Sequence, residues 1–349
     1  MGCEVAIIME DVEMQSETMN AATRRDVIKG GFCLAAAGAL AGCASTPPVP
    51  NAAPAGPATA SPAASLVTDE ENATLGLWQK ETDLATAELY VKYLKDGDTR
   101  SLASLEKLEA AFEKVMREAR ETVVTTDAPA VWSVYNMGYI VKTRESMFSI
   151  DLVHRRAKEF APLLDFALIT HNHGDHWRRE FYSEMNGAGK TVVSNFLDNY
   201  GAADWRKGGS DWHSAGGYVR GVKEFKLKDV EIRTSLIDHN DYLIDFTTAF
   251  EIKIGQFRLY HTGDSGKGTE PKLDTAWGRP DLWLFFPGCG IDVAKAVRKV
   301  DPRRVVFGHL WELGHRTGRL TAPAIKRALD AARPLCADAS FALWGYRIA

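Results

Sequence analysis

Ten residues, Leu168-Ile169-Thr170-His171-Asn172-His173-Gly174-Asp175-His176-Trp177, constrain this chain more than any other stretch of it. An apolar run of the kind that forms a buried strand ends at Thr170 and releases three histidines and one aspartate within six positions. Where the chain stays extended, side chains two apart share a face, so His171 and His173 point the same way. Two neutral imidazoles on one side can grip one metal ion together. Asp175 and His176 then turn away and can reach a second ion. Four such side chains this close are costly to bury without a cation. The whole chain has only nine histidines, so composition does not explain the cluster.

Other apolar runs also end in metal-competent residues. Leu236-Ile237-Asp238-His239 ends one, Leu259-Tyr260-His261-Thr262-Gly263-Asp264-Ser265 another, and Val305-Val306-Phe307-Gly308-His309 a third. Ser149-Ile150-Asp151 closes an earlier run. If each run is a strand, these residues converge on one rim. Imidazoles and carboxylates without a thiol suit Zn, Mn or Fe.

Runs at 131–135, 139–143, 147–150, 166–170, 230–237, 249–254, 257–261, 282–286 and 305–307 read as strands. Residues 152–163, 292–299 and 322–332 read as helices. Two groups of strands with helices among and after them suggest two sheets with helices outside, an α/β fold. Ahead of them, 69–122 reads as helical, broken at Asp96-Gly97-Asp98. Leu102, Leu105, Leu108, Phe112, Val115, Met116 and Ala119 form one apolar stripe. That stripe is expected to pack on the main domain; a lid or dimer contact is the alternative.

The segment at 168–177 resembles the H-x-H-x-D-H signature of the metallo-β-lactamase superfamily, and the likeness extends over roughly residues 130–315. It implies a four-layer αββα sandwich, here carrying an N-terminal helical extension. It also implies two divalent metal ions. His171, His173 and His239 would hold the first; Asp175, His176 and His309 the second, with Asp264 bridging. Asp151 would brace the metal loop rather than bind metal. The chemistry implied is hydrolysis of an ester, lactone or phosphoester by a hydroxide shared between the ions, with Asp175 orienting it. Tyr-His-Thr-Gly-Asp-Ser at 260–265 is similar to the branch that includes ascorbate-6-phosphate lactonase. A bridging Asp264 is unlike true metallo-β-lactamases, and His173 is unlike flavodiiron members, which typically carry Glu there. The helical region 69–122 and Trp177 depart from the family pattern. Two other readings stand beside this one: a metal-binding envelope lipoprotein without turnover, and a periplasmic β-lactam hydrolase.

Several residues keep two readings. His213 competes with His239, and the other reading of Asp264 is a cap for the turn after Gly263. His261 is a partner behind the ligands or a structural histidine. His315 and Arg316 meet a substrate anion or lie on a solvated loop. Trp177 and Trp311 wall a pocket or belong to the core. Lys267 meets an anion or only solvent.

The N-terminus reads as an address. Thr23-Arg24-Arg25-Asp26-Val27-Ile28-Lys29 resembles a twin-arginine export signal, and the apolar run 30–42 is too short for a permanent span. Leu40-Ala41-Gly42-Cys43 resembles a lipobox, with Cys43 the lipidated residue. Met19 is an alternative start. Residues 1–43 then form the signal, the uncharged, proline-rich 44–68 a tether, 69–125 the helical extension and 126–349 the hydrolase domain. Ala44, not aspartate, follows the cysteine, which favours the outer membrane. Without the signal's six acids and three bases, net charge is −1, which gives no electrostatic reason to expect nucleic acid. A small-molecule substrate is the expected partner. Cys289 and Cys336 either pair or remain thiols.

Overall fold

Alternation of apolar side chains with period two gives each strand a face for a shared core, and the strands meet face to face. A computed structural model describes residues 84–195, 221–310, 312–314 and 320–349, besides Ala73 and Gly76. The expected signal with Cys43, the whole tether, all of 69–83 but Ala73 and Gly76, and His213, Trp311, His315 and Arg316 lie outside the described residues.

The first sheet orders β1 (Ala130–Tyr135), β2 (Gly138–Lys142), β3 (Met147–Ile150), β4 (Phe166–Leu168) and β5 (Thr191–Val193) as written. Its first two pairings are antiparallel and its last two parallel. The second contains β6 (Lys223–Leu227), β7 (Val230–Ile237), β8 (Thr247–Ile254), β9 (Phe257–His261), β10 (Leu282–Phe285), β11 (Arg304–Phe307) and β12 (Asp338–Phe341), in order β12-β11-β10-β9-β8-β7-β6. From β6 to β9 the pairings are antiparallel; from β9 to β12 they are parallel. Tyr139, Val141, Phe148, Ile150, Phe166 and Leu168 of one sheet share a core with Ile232, Phe250, Ile252, Leu259, Leu282 and Leu284 of the other. Each such side chain, fully buried, contributes about 2 kcal/mol.

Helices cover the outer faces. α1 is Leu84–Asp96, α2 Ala103–Glu121, α3 Arg179–Gly187, α4 Val293–Val300 and α5 Ala322–Ala332. α2 and α3 pack on the first sheet; α5 packs on β12, with α4 beside it. The layers are therefore αββα, because strands buried on both faces need helices outside.

The stripe on α2 buries Leu105, Leu108, Phe112, Val115, Met116 and Ala119. Trp132 Nε1 on β1 donates to Glu118 Oε2 at 2.9 Å, and Lys142 Nζ on β2 donates to Ala119 O at 2.7 Å. α1 ends at Gly97, whose φ of 75° suits glycine. Tyr93 OH on α1 donates to Glu109 Oε1 at 2.8 Å and lies 3.0 Å from His154 Nε2. His154 stacks on Phe112 at 4.1 Å. Burial pushes its imidazole down to about 3, so it stays neutral and its Nε2 proton goes to Tyr93. The helical hairpin is thus bound to the main domain by polar contacts as well as its stripe.

Residues 152–163 do not form the expected helix. Leu152–His154 is extended, placing His154 between Phe112 and Tyr93, and only Ala157–Phe160 makes a 3-10 turn. The competing contacts are tertiary: Arg156 is bound by Glu109 and Glu113 of α2, besides Glu159 three residues on. The strand read at 166–170 ends at Leu168, because the Asp151 carboxylate takes Thr170 N–H at 2.8 Å. β5, β6, β12 and α3 escape the sequence reading. β6 is a short, mostly polar strand at the sheet's end, with Lys223, Glu224 and Lys226 exposed and only Phe225 and Leu227 packed against the core, so its apolar alternation is too short to stand out. Residues 345–349 run back from β12 to cover the edge of β1, with Val131 N–H donating to Ala349 O and Ile348 N–H to Val131 O. Cys289 and Cys336 form no disulfide. Among the described residues no helix is long and apolar enough to cross a membrane.

Candidate metal centre

Apolar runs that end at the rim deliver polar side chains there, and seven of these gather into two groups. His171, His173 and His239 form one; Asp175, His176, Asp264 and His309 form the other, with ligand atoms in each group within 4.8 Å of one another. The loop after β4 supplies four of the seven, and the ends of β7, β9 and β11 supply the others.

Asp264 touches both groups. Its Oδ2 lies 3.4 Å from His239 Nε2 and 3.3 Å from His309 Nε2, and its Oδ1 lies 3.2 Å from His176 Nε2. Asp175 Oδ2 is 3.0 Å from His309 Nε2 and 3.6 Å from His176 Nε2. His171 and His176 ring centres are only 4.0 Å apart.

Asp151 sets the ring orientation in both groups. It is fully buried, with a left-handed φ of 44°. Its Oδ2 accepts from Thr170 Oγ1 at 2.7 Å and lies 2.9 Å from His176 Nδ1. Since the Thr170 proton goes to Asp151, the hydroxyl oxygen accepts from His171 Nδ1, 3.0 Å away. With Nδ1 so engaged, both histidines turn Nε2 inward, the nitrogen that metal ligation uses, and His176 must give up its Nε2 proton to bind. His239 is held by its own loop: its N–H donates to Leu243 O at 3.0 Å. Asp238 beside it accepts from Asp245 N–H at 2.9 Å and from Lys272 Nζ at 2.5 Å. A Cβ on Gly266 would stand 1.9 Å from His239 O, so only glycine fits against this ligand.

Buried polar atoms almost always have partners. Here His171 Nε2, His176 Nε2, His239 Nε2 and Asp264 Oδ1 are buried and make no hydrogen bond. Lone pairs converging on shared space fit a divalent cation, and the donor set, all imidazole and carboxylate, suits Zn, Mn or Fe.

Electrostatics separate the groups. Burial, then neighbouring imidazoles, hold His171 well below the usual range and His173 at about 4. Burial acts downward on His176 and His309 too, but the facing carboxylates Asp264 and Asp175 outweigh it. His176 rises well above its ordinary value and His309 to about 10. Burial acts upward on Asp264, yet the charges of His309 and His176 hold it well below the carboxylate range. In the metal-free protein, protonated imidazoles thus stand where a cation would balance the carboxylates. His309's charge stabilises that state fully below the ordinary imidazole range, and the contribution is lost as pH rises through about 10. Filling the second group should therefore release about two protons at neutral pH and tighten as pH rises, while His171 and His173, already neutral, should release none. Calorimetric metal titrations in buffers of different ionisation enthalpy measure this; heats that do not depend on the buffer would contradict it.

His261 joins neither group. It is buried, accepts from Gly263 N–H at 3.1 Å through Nδ1, and points Nε2 at Met137 O, 3.3 Å away. It shapes the turn that carries Asp264. Trp177 is half-buried directly after His176. Lys267 pairs with Asp241 at 2.8 Å on the surface. The sequence reading misses Phe246, whose ring lies 5.2 to 5.9 Å from His171, His173 and His239, and Phe286, 4.3 Å from His309. It also misses Asn136, a hairpin-turn residue by sequence, which donates to Asp175. Nothing in their local patterns marks them.

No protein-family model matches the chain. Solved structures that resemble it include a metallo hydrolase from the hyperthermophilic archaeon Ignicoccus hospitalis, at 19% identity and a TM-score of 0.48 over 63% of this chain and 97% of that one. Isothiocyanate hydrolase from Delia radicum gut bacteria matches at 12% identity and TM-score 0.48, covering 64% and 99%. A metallo-beta-lactamase fold protein from Bacillus subtilis matches at 14% identity and TM-score 0.46, covering 63% and 99%. With identities under 20% and TM-scores under 0.5 these likenesses decide nothing further, and fold and chemistry rest on this chain's own sheets and site.

Proposed function

We propose that this chain is a metal-dependent hydrolase of the metallo-β-lactamase superfamily, working on a small-molecule ester, lactone or phosphoester with two divalent ions. One observation carries the reading: two ligand groups share Asp264, whose oxygens lie within 3.4 Å of imidazoles from both. Two cations held so would lower the pKa of water between them and polarise the scissile carbonyl or phosphoryl group.

The protein's own groups do the rest. Asp151 and Thr170 keep His171 and His176 aimed inward. Asp175, with its side chain 14% exposed against 5% for Asp264, stands nearer solvent, where it can orient the attacking water and take its proton. Phe246 and Phe286 wall the ligands with apolar surface. Beyond His239, Tyr242 and Ile244 are exposed apolar side chains, while Lys267 and Lys272 beside that loop are taken by Asp241, Asp238 and Asp245. That rim favours an uncharged, partly apolar substrate, the ester or lactone end of the range. Export, with lipidation at Cys43 and an outer-membrane anchor, belongs to the same reading.

The test is metal content by mass spectrometry on protein exported by its own signal and released from the membrane, followed by a panel of esters, lactones and phosphodiesters. About two metals per chain with turnover on the panel is the expected result. A chain that binds no metal even when refilled overturns the reading. Two metals without turnover on any of the three classes supports a binding role instead.

A further inference from the structure

We infer that Asn136 is a positioning residue that assembles the second ligand group by tying together the two loops that carry Asp175 and His309. This rests on the dinuclear reading above. Asn136 sits between β1 and β2, is 3% exposed, and has a left-handed φ of 55°. Its Nδ2 donates to Asp175 O at 2.8 Å and to Asp175 Oδ2 at 3.1 Å. Its own main-chain oxygen accepts from His309 N–H at 3.1 Å. His309 is left-handed as well, at φ 56°, a conformation a histidine holds only when its surroundings impose it.

One residue therefore grips two ligands that the chain supplies from different sheets. Asp175 Oδ2, which receives the amide proton, is also the oxygen 3.0 Å from His309 Nε2. The amide thus limits where that carboxylate oxygen can sit relative to the imidazole.

The preceding residue supports the same clamp. Tyr135 OH donates to Glu312 Oε1 at 2.9 Å and accepts from Leu313 N–H at 2.7 Å, holding the loop just after His309. Tyr90 of α1 packs on the Tyr135 ring at 5.7 Å, so the helical extension backs the clamp.

Two features point to the ligands and not to the turn alone. Asn136 Oδ1 is buried without a hydrogen-bond partner, a cost that a turn chosen for stability would not carry. None of the hydrogen bonds of Asn136 reaches His171, His173 or His239. The effect of losing it should therefore be one-sided.

Asn136→Gly keeps the left-handed backbone and the bond to His309 while deleting the amide. Asn136→Asp keeps the shape but sets a carboxylate against Asp175. The experiment is calorimetric titration of metal-free protein with Zn²⁺ and separately Mn²⁺, with metal counts by mass spectrometry and thermal melting in chelator. We expect two sites in the parent chain. In Asn136→Gly the first should bind as before and the second about 10- to 100-fold more weakly, with excess metal restoring turnover. In Asn136→Asp the second site should weaken further or be lost. Equal weakening of both sites would overturn the inference, as would an unchanged second site with a lower melting temperature. If the parent chain itself lacks two sites, the dinuclear reading fails first and takes this inference with it.

Discussion

Asp264→Ala should leave a folded protein that has lost the second metal and at least about 10³-fold of its hydrolytic rate, roughly 4 kcal/mol of barrier. Among the described residues, Asp264 is the one carboxylate within 3.4 Å of imidazoles from both ligand groups. Its removal also unbalances the metal-free site. His176 and His309 owe their raised pKa values first to Asp264 among the carboxylates, so both should fall without it. The second group then carries less negative charge with which to hold a cation. His173→Ala makes the complementary cut. It removes one of the three imidazoles of the first group and should lose that metal together with activity. Neither side chain belongs to the apolar core, so circular dichroism should report an intact fold in both variants. Undiminished turnover in either one would sink the assignment.

Asp151→Ala should weaken both metal sites at once, by about 10- to 100-fold each, because one carboxylate orients a ligand in each group. It acts on His176 directly at 2.9 Å and on His171 through the Thr170 hydroxyl. The substitution also strands Thr170 N–H, which donates to Asp151 Oδ1 at 2.8 Å in a fully buried place. Unpaired buried donors of this kind cost about 3 kcal/mol together, or roughly 10 °C of melting temperature for a domain this large. Alanine at a φ of 44° adds strain. Asp151→Asn tolerates that backbone and keeps one acceptor, so it should recover part of the stability but less of the metal affinity. Metal titration and chelated melting curves read the two effects separately. A variant that melts earlier but binds both metals as before would reduce Asp151 to a fold residue. The contrast with Asn136 is the useful one: a loss at both sites for Asp151, at one site for Asn136.

The metal-rich loop was legible because its signal is local. An apolar run that stops at Thr170 and yields His171, His173, Asp175 and His176 needs no tertiary knowledge to be noticed. Asp264, His309 and His239 carry weaker local signals and were implied by the superfamily resemblance, with His213, which lies outside the described residues, competing for the place of His239. Strand runs were legible in β1, β4, β10 and β11, where both faces are buried, though the three-residue β5, buried like them, was too short to stand out. Legibility failed for β6, whose apolar alternation is only Phe225 and Leu227, and for 152–163, where helical spacing lost to contacts made by His154 and Arg156.

From the sequence alone come the residue chemistry of the centre, its placement at strand ends and the two-sheet plan, since these follow from hydropathy, period and ligand type along neighbouring positions. The resemblance already implied the division of the seven residues and a bracing Asp151; only the tertiary structure decided which ring nitrogen the histidines turn inward, that Asp151 reaches His171 through Thr170 as well as His176 directly, and that Asn136 ties Asp175 to His309. Those choices depend on hydrogen bonds between segments far apart in the chain, and no local pattern encodes a partner that arrives from another sheet.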